Sequence, residues 1–180
     1  MIRWGLRRMV RAFGAQYRYD VSYMQDVLDI STNAGARLVL GPRIIQYPGP
    51  KAAAGLVAGA YLASTLDGDC GPCAQLVIDM ALAGGCDPDL LRACVEGRAE
   101  AAGDVGLGFR FAQAAIAGLP ETDALAARIR ETAGAEALVA ASFGAAMGRF
   151  YPVFKRGMGH GAVCERLAFG GTPEALVAHG

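Results

Sequence analysis

Apolar residues recur along this chain at intervals of three and four, the spacing that lines one face of a helix. The interruptions fall at glycine, proline or aspartate. Over 21–40, Val21, Met24, Val27 and Leu28 share a face, and Gly41-Pro42-Arg43 ends the pattern. Segment 52–66, AAAGLVAGAYLASTL, predicts a helix of small side chains that lets its neighbours approach closely. The next helix opens at Cys70 and Cys73 and closes at Gly84 and Gly85, with Cys73, Leu76, Val77, Met80 and Ala81 as its expected buried stripe. Asp87 as N-cap, followed by Pro88, starts another. Further helices are predicted over 106–118, from Pro120 onward with acidic residues in the first turn, and from Ala135 to Pro152. At Pro152 the missing amide predicts a kink or break. The only strand candidates, RLVL at 37–40 and RIIQY at 43–47, are short.

The predicted fold class is therefore all-α, without repeats or low-complexity linkers. One helical domain is expected over 21–180, preceded by an N-terminal arm, 1–20, in which Trp4, Phe13, Tyr17 and Tyr19 stand among basic residues. That arm reads either as a crossing to a neighbouring subunit or as a flexible lead. The tail from His160 is short and glycine-rich.

Composition narrows the function classes. A hydrophobic content of 53% in 180 residues is enough for a sizeable core. Seventeen basic side chains balance seventeen acidic ones, which leaves no broad positive field for nucleic acid or an anionic membrane. No uninterrupted apolar run of about 20 residues is present, and the basic opening is followed by no signal-peptide core, so a cytoplasmic location is expected. Five irregularly spaced cysteines do not form a secreted disulfide framework.

The candidate chemistry is the C-x-x-C of Cys70 and Cys73. At a helix start, free amides and the helix dipole favour a thiolate, and an exposed first cysteine with a more buried second one divides into attacking and resolving thiols. Asp67 and Asp69 oppose this by raising the thiol pKa. The spacing fits equally well two small apolar residues in a core. Cys86 and Cys94 lie too far apart to complete a zinc site, so neither metal nor cofactor is expected. The quartet CGPC is shared with thioredoxin, but the segment before it is helical where thioredoxin has a strand.

From about residue 47 to 168 the order of elements is a small-residue helix, a helix opened by C-x-x-C, a glycine break, an acidic helix start and a late AASFGAAMGRFYP. This resembles the carboxymuconolactone decarboxylase-like, or AhpD-like alkylhydroperoxidase, superfamily. The resemblance implies a helical bundle assembled as a homo-oligomer, a trimer or hexamer. It also implies that Cys73 attacks a hydroperoxide, that Cys70 closes the disulfide, and that a partner protein's dithiol restores the pair. The sequence departs from the family pattern at both proton-handling positions. The histidine expected four residues after the second cysteine is Val77, and the glutamate about twelve residues before the first is Ala58.

Tyr61, one turn on from Ala58, is a candidate hydroxyl for the same pocket, or else an ordinary core tyrosine. Arg149, Lys155, Arg156 and His160 gather around aromatics near Pro152. They read either as cations for an anionic substrate or thiolate, or as a solvated basic edge. Asp79, six residues past Cys73, points off its face. The expected function is a thiol–disulfide oxidoreductase of the AhpD-like class that takes a hydroperoxide or another small molecule. The alternatives are a non-catalytic helical oligomer or binding module, and a decarboxylase-branch lyase indifferent to the cysteines.

Overall fold

The structure, a computed structural model, describes residues 2–161, 167–170 and 172–173. Most of the tail from His160, Cys164 included, lies outside them. The helices are α1 (Ile2–Tyr17), α2 (Ser22–Ile30), α3 (Thr32–Ile45), α4 (Ala54–Asp67), α5 (Gly71–Ala83), α6 (Pro88–Val95), α7 (Gly103–Ala117), α8 (Thr122–Ala133), α9 (Ala135–Met147) and α10 (Phe150–Gly157). Among the described residues the only extended pairing joins Ala168–Phe169 to Thr172–Pro173, antiparallel, with Ala168 opposite Pro173. The fold is all-α, and both strand candidates of the sequence lie in or beside α3.

Two apolar cores organise these helices. The first is built by α4 and α6–α9 with one side of α5, and it takes in Leu167 and Phe169 from the tail. Its packing depends on small residues, as segment 52–66 predicted. A Cβ at Gly59 would stand 1.9 Å from the Val105 carbonyl oxygen, and one at Gly108 would stand 1.9 Å from that of Leu56. Helices α4 and α7 therefore touch backbone to backbone. Across the other side of α4, a Cβ at Gly144 would come within 3.0 Å of the Ala60 methyl.

The second core is formed by Leu6 and Val10 of α1, Tyr19, Tyr23, Met24, Val27 and Leu28 around α2, Leu38 of α3, and Cys73. Tyr151, Phe154 and Met158 close it from the α10 side. Residues 2–20 thus supply a helix that rests on α2 and α3 and a tyrosine buried beside the cysteines.

Several boundaries differ from the periodic reading. Segment 21–40 is two helices, because Ser31 is extended and its hydroxyl accepts the Ala34 amide at 3.2 Å, which caps α3. Helix α3 then runs through Pro42 instead of ending before it. The carbonyl of Leu38, which an amide at position 42 would have met, accepts the Tyr151 hydroxyl at 3.0 Å. Pro152 behaves similarly. The chain turns at Gly148 and Arg149, Pro152 falls in the first turn of α10, and the Gly148 carbonyl accepts the Thr65 hydroxyl at 3.2 Å. The expected stripe on α5 is also corrected. Ala74 and Ile78 are fully buried while Met80 is exposed, because α5 lies between the two cores and divides its apolar positions between them.

By length and composition alone the stretch Ala135–Gly157 could cross a membrane. The turn at 148–149 divides it, and α9 commits Ala137, Ala140, Ala141 and Gly144 to the first core. Large apolar side chains remain exposed at Ile44, Ile45, Phe150 and Val153, on the end of α3 and on α10.

Candidate redox site

Cys70 is the N-cap of α5, and Cys73 lies in its first turn, with Pro72 between them where no amide is needed. The two sulfurs are joined as a disulfide, with Cα atoms 5.3 Å apart. Cys70 is half-buried and Cys73 is buried. The resemblance makes Cys73 the attacking thiol, whereas burial gives the accessible position to Cys70. Both pack in or against the second core.

The loop that presents Cys70 is held from α10. Asp67 is ion-paired with Arg149, whose backbone amide donates to Ser64 Oγ at 3.0 Å, and Arg156 donates to the Gly68 carbonyl. A Cβ at Gly68 would stand 2.6 Å from Pro152, so the loop lies flat on α10, and Asp69 takes a left-handed backbone (φ 54°) to enter α5. Arg149 therefore positions the loop and neutralises Asp67, one of the two carboxylates expected to work against a thiolate.

The group that touches the pair is Tyr19, which the sequence reading did not assign to it. Its hydroxyl lies 3.4 Å from Cys73 Sγ. Burial pushes the Tyr19 phenol above its ordinary value, so at neutral pH it is a proton-bearing donor to sulfur. Tyr23 is fully buried next to it, with its hydroxyl turned toward that of Tyr19. Its phenol is also pushed up, by burial first and then by Tyr19. Lys155, only 5% exposed, places its ammonium 5.3 Å from the Tyr19 ring centre and 5.7 Å from that of Tyr23. A cleft of about 280 Å³ opens beside these groups, between the 17–20 turn, the face of α5 from Pro72 to Asp79, and Lys155.

The other candidates go elsewhere. Tyr61 packs on the first core against Gly144, with a hydroxyl that has no partner among the described residues and is pushed up to about 12 by burial. Val77 also packs on the first core. His160 Nε2 meets Asp26 at 2.9 Å and its Nδ1 lies 3.4 Å from Ser22 Oγ. Ser22 gives its hydroxyl proton to Asp20 at 2.9 Å, so this chain is a clamp between α2 and the end of α10 and not a nucleophile with its base. Burial pushes the Cys94 thiol up to about 12 and raises that of Cys86, and both belong to the first core. Among the described residues no group of three or more His, Cys, Asp or Glu is placed to hold a metal ion.

Lys155 corrects the solvated reading of the basic segment. Tyr151, Phe154, Lys155 and Met158 follow i, i+3, i+4, i+7, so the lysine occupies a position on the apolar stripe of α10. That periodicity was a signal for its burial. Tyr19 had no comparable signal, since its neighbour Arg18 takes a left-handed turn (φ 50°) that breaks any register between α1 and α2. Compared with protein-family models, with curated proteins and with solved structures, the chain matches none.

Proposed function

We propose that the protein is a thiol–disulfide oxidoreductase whose working couple is Cys70 and Cys73. The observation that carries this reading is the Tyr19 hydroxyl on Cys73 Sγ, within a pair bonded across the first turn of α5. It gives the inner sulfur a donor where the family pattern would have a histidine. In reduction, an incoming thiolate attacks Cys70 Sγ and the Cys70–Cys73 bond breaks. Cys73 leaves as a thiolate, receives the Tyr19 hydrogen bond and takes up a proton from water. A second thiolate then attacks the mixed disulfide at the reductant's sulfur, so the reductant leaves as a disulfide and Cys70 as a thiolate.

In the oxidising direction, the Cys70 thiolate attacks the terminal oxygen of a hydroperoxide and keeps its OH as a sulfenic acid, while the alkoxide leaves and becomes an alcohol by taking a proton from water. Cys73 displaces its oxygen as water and restores the disulfide. Free amides and the dipole at the start of α5, with Asp67 already paired, favour the thiolate at both steps. The homo-oligomer expected from the sequence would cover the exposed apolar side chains of α3 and α10.

The test is thiol titration of the reduced protein before and after a hydroperoxide, followed by recovery with a dithiol. Two thiols should disappear and return together, Cys70→Ser or Cys73→Ser should abolish the cycle, and Tyr19→Phe should slow it by about tenfold. A pair that stays reduced under peroxide, or turnover that persists in Cys70→Ser, sinks the reading.

A further inference from the structure

Lys155 is the one charged side chain that is buried among the described residues. It is 95% shielded from solvent (5% exposed), it lines the cleft beside the disulfide, and it makes no ion pair with any described residue. The faces of Tyr19 and Tyr23 offset only part of the hydration its ammonium has lost. Asp20, on the same cleft, attracts it from a distance, but no carboxylate among the described residues reaches it within ion-pair range, so the ammonium has no counter-ion in direct contact.

The carboxylates that share the cleft already have partners. Asp20 accepts the Ser22 amide and hydroxyl, each at 2.9 Å, and Asp79 accepts the Gln75 amide at 2.7 Å. The same Gln75 side chain is anchored in both directions to the Ala168 backbone, so Asp79 is fixed in place. Arg18, the second cation of the cleft, is exposed at its rim, on a backbone twisted left-handed there. Both carboxylates are thus oriented by hydrogen bonds toward Ser22 and Gln75, and neither is in contact with Lys155 or Arg18 among the described residues. Pro72 and Leu76 add an apolar wall. At about 280 Å³ the space lies at the small end of ligand cavities, roughly 300–1,000 Å³.

We infer that the cleft is a substrate subsite for a carboxylate, with Lys155 as its counter-ion and Arg18 as a second contact at the rim. The substrate class is a small thiol or disulfide that carries a carboxylate a short aliphatic chain away from sulfur. This rests on the reading of Cys70 and Cys73 as the working couple. An anion held there lies against one side of the Tyr19 ring, while the hydroxyl of that ring touches Cys73.

Two measurements separate the subsite from the chemistry. In the first, the reduced protein is oxidised by 3,3′-dithiodipropionate, which is anionic, and by bis(2-hydroxyethyl) disulfide, which is neutral. In each case the protein dithiol becomes a disulfide and the probe becomes two thiols. The wild-type rate constant should favour the anionic probe by about tenfold, as one buried charge pair allows. Lys155→Met should bring the ratio to about one, and Arg18→Gln should lower it by roughly half, as a rim contact does. Should Lys155→Met fail to fold, the wild-type ratio must still fall as salt is raised. A wild-type ratio near one, or a tenfold ratio that survives in a folded Lys155→Met, overturns the inference.

The second measurement titrates the oxidised protein, which has no thiol to exchange, with dithiodipropionate by calorimetry. Saturable binding that is lost in Lys155→Met supports the subsite even if the reduced protein proves inert, an outcome that would sink the redox reading alone. Absence of binding to the folded wild type overturns the subsite whatever the cysteines do.

Discussion

Helix α4 meets its neighbours through glycine and alanine, and the hydroxyls buried along it are tied to carbonyls: Ser64 to Ala145 at 2.6 Å, Thr65 to Tyr61 at 2.8 Å. The second core is made differently. Around Cys73 it gathers Phe13, Tyr17, Tyr19, Tyr23, Tyr151 and Phe154, with a lysine in their midst and the buried hydroxyls of Tyr19 and Tyr23 turned toward each other. Close packing of small residues gives rigidity and leaves no room for a ligand. Aromatic packing around polar atoms leaves edges, hydroxyls and a cleft, each of which costs stability unless something uses it. The contrast separates a close-packed scaffold, α4 and its partners, from a cleft-bearing junction of α1–α2, α5 and α10 where the proposed chemistry would take place.

The largest effect that tests this contrast is a methyl group placed on α4. Gly59→Ala would drive a carbon into the Val105 carbonyl, which is backbone and cannot rotate away. A loss on the order of 4 kcal/mol or more is expected, seen as a collapsed urea midpoint or failure to fold. Gly5→Ala, in α1, meets nothing within 4 Å and should be neutral or gain up to about 1 kcal/mol from helix propensity. Equal tolerance at the two sites would mean that α4 and α7 are not in backbone contact.

The sequence carried the first core well and the second poorly, for a physical reason. Helix periodicity, the Asp87-Pro88 start and the small-residue stretch are local signals, and the structure follows them: Asp87 accepts the Asp89 amide at 2.8 Å, and α4 touches α7 through Gly59 and Gly108. The pairing of Tyr19 with Cys73 spans 54 residues and depends on how α1 folds back, which no spacing encodes. Tyr61 and Val77 illustrate the converse. Both sit where helical arithmetic puts them near the cysteines, yet both pack on the other core, because α5 straddles the boundary. Lys155 stood in between, with its burial readable from the α10 stripe and its ring partners not.

Alkaline pH sharpens the comparison with a somewhat smaller effect. Tyr19 and Tyr23 have phenols raised above the ordinary 10.0, mainly by burial. Such a group ionises in the unfolded chain before it does in the native one, so its stabilisation is complete below pH 10 and is lost as pH rises beyond it. Tyr23 removes about 1.4 kcal/mol per pH unit above 10, and Tyr19 acts in the same direction. Cys94, pushed from 9.0 up to about 12, starts a decline in the first core one unit earlier. Urea midpoints between pH 8 and pH 11 should therefore fall in two stages, and Tyr23→Phe should make the second less steep while leaving the first unchanged, the other buried phenols keeping their share. A second stage that keeps its slope in Tyr23→Phe would mean that the phenol is solvated.

The smallest effect compares how the two regions repair a proline. In the second core, Pro42 removes the amide that Leu38 would have met, and the Tyr151 hydroxyl replaces it at 3.0 Å. Near the first core, Pro152 removes the partner of Gly148, and Thr65 replaces it at 3.2 Å with a hydroxyl already shared with the Tyr61 carbonyl. Tyr151→Phe leaves a carbonyl unpaired inside the molecule and should cost about 1–2 kcal/mol by urea unfolding. Thr65→Val should cost less, about 1 kcal/mol, because its bond to Gly148 is the longer of two. The repair can be isolated with a double-mutant cycle. In Pro42→Ala the restored amide reaches Leu38 itself, so adding Tyr151→Phe should then cost only a few tenths of a kcal/mol. Additive losses in that cycle would show that the tyrosine is held by its ring packing and that the hydroxyl contributes nothing to the bend it faces.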